Sequence, residues 1–156
     1  AAATLPVSLA SVKLHCGVED STFDALLTEL LADAVNHVEE LLGRSLGEQT
    51  WLLTLDAFAD AIELRRGPVL GIVASGFKYV NAAGTLTVVP AELYTLDLVT
   101  QPSWIVRNED AAWPETTTKP NAVEVTFTAG WTEATLPRAL RRAAEDAGLF
   151  ARRGNG

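Results

Sequence analysis

Residues 21–43 read STFDALLTELLADAVNHVEELLG, a stretch that predicts one long helix. Apolar residues recur in it at steps of three and four, so they form one stripe along the helix. We expect Ser21 to start the helix, with Asp24 completing an acidic variant of the capping box, and Gly43 to end it. The stripe holds Phe23, Leu26, Leu27, Leu30, Leu31, Ala34, Val35, Val38, Leu41 and Leu42.

Two further helices are predicted on either side of the middle of the chain. Ser8 is a suitable N-cap for a short helix at Leu9–Cys16, and Gly17 is a suitable residue to end it. Pro137 fits the first turn of a final helix, where its missing N–H is not needed. The predicted helical parts of the chain are residues 8–44 and 136–152.

Between the helices the apolar period changes to two, which is typical of strands. In Val123–Thr128 the alternation indicates one packed face and one solvent-exposed face, as in an antiparallel sheet. Asn81–Gly84 predicts a hairpin turn, because Asn and Gly tolerate positive φ angles. Strands are predicted from Trp51 onward and at Ala61–Arg65, Val69–Val80, Leu86–Val89, Leu93–Leu98, Trp104–Arg107 and Val123–Ala129.

These elements predict an α+β fold in a single domain over residues 1–156. A small bundle of a short, a long and a C-terminal helix is expected. An antiparallel β-sheet, built from residues 51–129, lies between those helices in the chain. Among the polar positions of the long helix, Glu39 and Glu40 are interpreted as a solvated pair on its flank.

The charge of the chain is unevenly distributed. It has 156 residues and a formal net charge of −8. Binding to nucleic-acid phosphates needs clustered Lys and Arg, so this charge argues against a general DNA-binding protein. A basic tail on an acidic body suggests two faces with different partners, or a solvated last helix whose arginines complement its C-terminal dipole. The arginines of residues 135–156 are Arg138, Arg141, Arg142, Arg152 and Arg153.

Composition also predicts the compartment. The single cysteine, Cys16, excludes an intrachain disulfide, so an oxidising compartment is not indicated. No signal segment and no membrane-length apolar run is visible. We therefore expect a soluble protein that has no membrane partner and stays in the cytosol where it is made.

The sequence offers little catalytic chemistry. His15 and His37 are its histidines, and His15 with Cys16 forms one adjacent pair without a second pair of metal ligands. Adjacent helical residues point about 100° apart, so this pair would not share a proton well. No phosphate-binding loop, nucleophile elbow or zinc-protease motif is present. We expect no enzyme activity, no catalytic residue, no metal and no cofactor.

The segment Asn108–Asn121 is long for a connection within one domain, and it lacks any apolar period. Loops of this kind are typically functional or mobile. Trp113, at its centre, is either a plug in the domain's own core or an anchor into a neighbouring subunit. As a hypothesis, the segment is an inter-subunit loop that uses Trp113, Pro114 and Lys119.

Several short stretches follow one another in an order typical of one known family. They are Leu5–Ala10, Leu41–Arg44, Gln49–Trp51, Arg66–Val69, Lys78–Val80, Trp113–Pro114, Pro120–Val123, Phe127–Trp131 and Leu136–Pro137. In this order, the chain resembles the head–tail connector proteins, or head-completion adaptors, of tailed phages, prophages and gene transfer agents. It departs from the family at Glu145–Gly148 and the basic tail, where the family's last helix continues into a longer apolar and aromatic stretch.

The resemblance implies a structural virion protein of the neck, at the head–tail interface. It implies a dodecameric ring of this chain that docks beneath the portal protein, extends the DNA channel and carries the next neck or tail protein. An acidic lumen would let DNA pass without specific binding. Portal docking is predicted for the basic tail through Arg138, Leu140, Arg141, Arg142, Leu149, Phe150, Arg152 and Arg153.

Two other interpretations remain open at this point. A neighbouring neck component, such as a stopper or tail-completion protein, would share many of the same features. A β-sheet module that binds carbohydrate or peptide through exposed tryptophans is the alternative from a different class, since the chain has four tryptophans.

Overall fold

A helical unit and a β-rich unit make up the chain in a computed structural model that describes residues 5–142 and Asp146. Of these residues, those up to Gln49 and those from Trp131 onward form the helical unit. The β-rich unit is Thr50–Gly130. The predicted α+β class is confirmed, with helices and antiparallel strands in separate parts of the chain.

The helical unit contains α1, Leu9–Cys16, and α2, Asp24–Leu42. The predicted caps of α1 are confirmed, because the Ser8 hydroxyl accepts the Ser11 N–H and Gly17 adopts a left-handed φ of 64°. Residues 138–142 are helical too, directly after Pro137, as the sequence predicts.

The predicted start of the long helix at Ser21 is wrong. The helix begins at Asp24, and Phe23 occupies the cap position without a side-chain hydrogen bond. Asp24 forms an ion pair instead of a capping box, with its Oδ1 at 2.6 Å from Nζ of Lys13 in α1. A tertiary contact between the two helices therefore replaces the local cap.

The core of the helical unit uses only part of the α2 stripe. Leu27, Leu31 and Val35 are buried at successive steps of four, and Leu31 and Val35 belong to the core cluster. Phe23 and Leu26 are 52% and 48% exposed. The helical unit therefore leaves part of the apolar stripe of α2 exposed. The buried cluster consists of Val7, Val12, Cys16, Leu31, Val35, Leu46 and Leu136.

Seven strands are found among the described residues, and they form two sheets where the sequence predicts one. The four-stranded sheet has the order β1-β7-β3-β4, and the three-stranded sheet has the order β2-β6-β5. A short 3₁₀ helix precedes β5, at Ala91–Leu93. The strands are β1 Gln49–Leu55, β2 Ala61–Leu64, β3 Val69–Val80, β4 Leu86–Val88, β5 Tyr94–Asp97, β6 Ser103–Arg107 and β7 Val123–Ala129.

Strand β7 confirms the predicted alternation. Val123, Val125, Phe127 and Ala129 are buried, and the residues between them are half-buried. These side chains belong to one core with residues from both sheets, so the two sheets share their apolar faces. The other buried members of the core are Ile62, Leu64, Val69, Phe77, Val89 and Ile105.

Strand β3 contains an irregularity in its pairing with β7. Ile72 pairs with Phe127 and Phe77 pairs with Val125, so β3 has extra residues between the two pairs. Gly76 lies in this bulge, where a Cβ atom would come within 2.5 Å of the Thr126 carbonyl oxygen. Glycine lets the two backbones approach closely at this point.

Candidate assembly surfaces

The loop Asn108–Asn121 is bound to its own unit at both ends. Nδ2 of Asn108 donates to the Glu92 carbonyl oxygen at 2.8 Å. The Asn121 N–H donates to Oδ1 of Asp56 at 2.9 Å. Both anchors bond to other parts of the β-rich unit, so the loop follows a defined course.

The indole of Trp113 packs in the core of its own unit. It stacks on the Phe58 ring with centroids 4.7 Å apart, and it meets the Phe77 ring edge-to-face at 5.9 Å. Its Nε1 donates to the Ala59 carbonyl oxygen at 2.9 Å. Of the two alternatives for this residue, the structure shows the contact with its own core. A role of the loop between subunits stays a prediction, with Pro114 half-buried and Lys119 exposed beside Trp113.

The start of the C-terminal helix is also part of its own unit. Leu136 is buried in the helical core, and Leu140 packs against that core. Nη2 of Arg141 donates to the Glu133 carbonyl oxygen. Two of the residues predicted to dock on a portal, Leu140 and Arg141, therefore already make contacts within the unit.

The arginines Arg138 and Arg142 are exposed on the same short helical stretch. Their side chains are accessible to a partner, and the docking role of this segment stays a prediction. The remaining predicted docking residues lie outside the described part of the chain: Leu149, Phe150, Arg152 and Arg153.

An open groove of about 370 Å³ lies between β1 and β2, which are edge strands of the two sheets. The sequence did not predict it. The alternation of Trp51, Leu53 and Leu55 with their neighbours predicts a half-buried strand, and these three residues are half-buried in the structure. The apolar lining consists of Trp51, Leu52, Leu53, Leu55, Ala59, Ala61, Ile62 and Phe127.

Charged residues also line this groove, with two arginines against one glutamate. Arg66 has a left-handed φ of 73°, and its guanidinium carbon lies 4.9 Å from the centre of the Trp51 ring. Nη2 of Arg65 lies 3.5 Å from Oε2 of Glu63, and the Arg65 side chain is 81% exposed. A non-glycine residue held at positive φ indicates that its surroundings fix its position.

The surroundings of Asp97 and Tyr94, in the β-rich unit, shift the pKa values of both side chains. Oδ2 of Asp97 accepts the Thr100 hydroxyl at 2.7 Å, and its Oδ1 accepts the N–H groups of Thr100 and Val99. These hydrogen bonds lower the pKa of the Asp97 carboxyl below its ordinary value. Burial raises the pKa of the Tyr94 phenol above its ordinary value. Both groups support their own turn and core.

The described residues, 5–142 and 146, offer neither a metal-binding cluster nor a membrane-spanning helix. No group of three or more His, Cys, Asp or Glu side chains there could hold a metal ion. In the same residues no helix has both the length and the apolar character needed to span a bilayer. Nε2 of His15 lies 3.1 Å from Oδ1 of Asp146, within the helical unit.

Residues 6–81 match the profile of the family described as "Phage gp6-like head-tail connector protein". The predicted resemblance to head–tail connectors is confirmed. The matched residues run from the segment before α1 through β3. They therefore include the long helix α2 and the long strand β3, both of which the sequence predicts. No curated protein matches the chain.

Solved neck structures of gene transfer agents (GTAs) have the same fold as this connector-like chain. A chain of "Neck of native GTA particle computed with C12 symmetry" is 26% identical, with a TM-score of 0.75, covering 96% of this chain and 76% of that one. A chain of "Neck of empty GTA particle computed with C6 symmetry" is 24% identical, with a TM-score of 0.80, covering 97% and 80%. A chain of "Virion of native gene transfer agent (GTA) particle" is 24% identical, with a TM-score of 0.73, covering 100% and 84%.

The family match and the neck structures together support a structural protein of the virion neck.

Proposed function

We propose that this chain is a subunit of a head–tail connector ring of twelve copies, as in the C12-symmetric neck that it resembles. The ring docks beneath the portal, extends the DNA channel and forms a platform for the next neck or tail protein. The observation that carries the proposal is the 26% identical neck chain, whose fold matches over 96% of this chain. We propose further that the two units act together as one connector domain over residues 1–156.

The charge of the chain suits a DNA channel. At a net charge of −8 the protein surface repels phosphate on average. DNA therefore passes the ring without being held, because strong phosphate binding needs clustered positive charge. The Trp-using binding module gains no support from the groove, since Trp51 is the one tryptophan of the four that lines it.

The basic tail is the proposed portal contact. Arg138 and Arg142 are exposed, and an arginine fork binds carboxylates in a bidentate way, so an acidic portal surface is a matching partner. Leu136 is buried in the helical unit, so a truncation that tests docking should leave it in place.

Docking is tested by imaging capsids that bear the portal but lack this protein, before and after adding it back. We expect the added protein to form a ring at the portal vertex. Binding at the tail side of a ring that is already present would instead identify a stopper or tail-completion protein. Failure to bind any neck component would overturn the proposed function.

Two variants test whether the basic tail is needed for docking. Truncation after Arg142 keeps Leu136 and Leu140, and Arg138→Glu with Arg142→Glu reverses two exposed charges. Both variants should keep the wild-type melting temperature and lose docking to portal-bearing capsids. Normal docking by both would place the portal contact elsewhere on the chain.

A further inference from the structure

The groove between β1 and β2 has the chemistry of a docking site for an apolar and acidic segment. Its lining includes the buried residues Ile62 and Phe127 and the half-buried residues Trp51 and Leu53. Arg65 adds positive charge that reaches into solvent. Contiguous apolar surface beside polar residues is typical of an interaction site.

The start of α2 has the complementary chemistry. Phe23 and Leu26 are 52% and 48% exposed. The Phe23 carbonyl accepts the Leu27 N–H at 2.9 Å, so the helical turn already includes Phe23, and residues three apart lie on the same side of it. Glu19 and Asp20, just before the helix, are exposed acidic residues. Two exposed apolar side chains and two exposed acidic residues therefore lie within the segment 19–26.

A ring requires each copy to present two different surfaces that fit each other, because its contacts are head-to-tail. Resting on the ring proposed above, we propose that the groove of one copy receives the start of α2 from the neighbouring copy. Phe23 and Leu26 enter the apolar groove, and Glu19 and Asp20 face the arginines. The occupant of the groove is therefore a second copy of this chain.

The fit in size and charge supports this pairing. A groove of about 370 Å³ is at the lower end of the range for sites that hold small molecules, so it has room for a few apolar side chains. The chain is acidic overall, yet this groove has two arginines against one glutamate, and the segment 19–26 carries no Lys or Arg. Opposite charges at the edge of an interface favour the correct register and speed encounter.

Charge reversal with rescue tests the pairing. The first variant is Glu19→Arg, the second is Arg65→Glu, and the third combines both changes. Glu29→Arg, at an exposed position further along α2, is the matched control. All four should melt like the wild type, since the substituted side chains are exposed. Rings are counted in images of the protein bound to portal-bearing capsids.

Each single reversal should lower the number of rings at least roughly tenfold, because like charges then face each other at every subunit contact. The double variant should restore rings, since the pair is opposite in charge again, and Glu29→Arg should assemble normally. If both single variants assemble like wild type, the groove has another occupant and the proposed ring still stands. If both single variants fail and the double variant is not rescued, the two surfaces contact different partners, such as the next neck protein. If the wild type forms no ring, both the proposed function and this inference are overturned.

Discussion

The carboxylate of Glu39, in α2, accepts the backbone N–H of Leu46 with its Oε1 at 2.6 Å. The same oxygen accepts the Gly47 N–H at 3.3 Å, and Nε2 of Gln49 donates to both carboxylate oxygens. Glu39 is 6% exposed, so its predicted place on a solvated flank is wrong. Its side chain binds the segment that leads from the end of α2 into β1.

Glu39→Ala should destabilise the protein by about 1–3 kcal/mol, because buried donors at Leu46, Gly47 and Gln49 would lose their acceptor. Urea unfolding followed by circular dichroism measures the free energy of unfolding. Glu40→Ala is the matched control, since Glu40 is the next residue and is exposed. It should change the stability by less than about 0.5 kcal/mol. Equal effects of the two substitutions would contradict a structural role for the Glu39 carboxylate.

Gly76→Ala should destabilise the β-rich unit by about 1–3 kcal/mol through overpacking. An added Cβ would lie 2.5 Å from the Thr126 carbonyl oxygen and 2.7 Å from that of Val73, and backbone atoms cannot move aside freely. Gly71→Ala, in the same strand, is the control, since its Cβ would meet nothing within 4 Å. Thermal melts of the two variants should differ, and a Gly76→Ala protein as stable as Gly71→Ala would argue against the close approach of β3 and β7.

Trp113→Ala should lower the stability by about 3 kcal/mol, because the indole packs on Phe58 and Phe77. The inter-subunit role of the loop needs a variant that spares this packing. Lys119→Glu changes an exposed charge in the same loop and should leave the melting temperature unchanged. If the loop lies between subunits, Lys119→Glu reduces ring assembly. Normal assembly of that variant would leave the loop as an element of the unit alone.

The turn after β5 should loosen in acid. The pKa of the Asp97 carboxyl is lowered in the folded protein, so its stabilising effect is present above the unfolded value of about 3.9 and is lost as pH falls through the lower folded value. NMR spectra should show the Val99 and Thr100 amide signals shifting in this acid range while the fold persists. Asp97→Asn should remove that transition, whereas Asp110→Asn, in the exposed part of the long loop, should keep it. A transition that survives in Asp97→Asn would assign it to another carboxyl.

Regular, strongly periodic segments were predictable from the order of residues. The end of α2 at Gly43, the bounds of β3 and β7, and both caps of α1 agree with the sequence. These features depend on residues close together in the chain, whose side chains repeat with the period of the element. The start of α2 was wrong because the Lys13 side chain, eleven positions away, takes the carboxylate that the capping box required.

The candidate site was less accessible to sequence reasoning. The connector resemblance and the exposed arginines Arg138 and Arg142 came from local patterns. The groove did not, because it exists only where the edges of β1 and β2 part, and no local pattern reports which strands share a sheet.

Local spacing of apolar residues, caps and turn residues was enough for the α+β class and most element bounds. Each of these depends on neighbours within a few positions, where backbone geometry is the same in every fold. The division into two sheets, the burial of Glu39 and the packing of Trp113 depend on residues that meet from distant parts of the chain. Burial and hydrogen bonding depend on which distant residues come into contact. The same acidic or aromatic residue can therefore be solvated in one fold and buried in another.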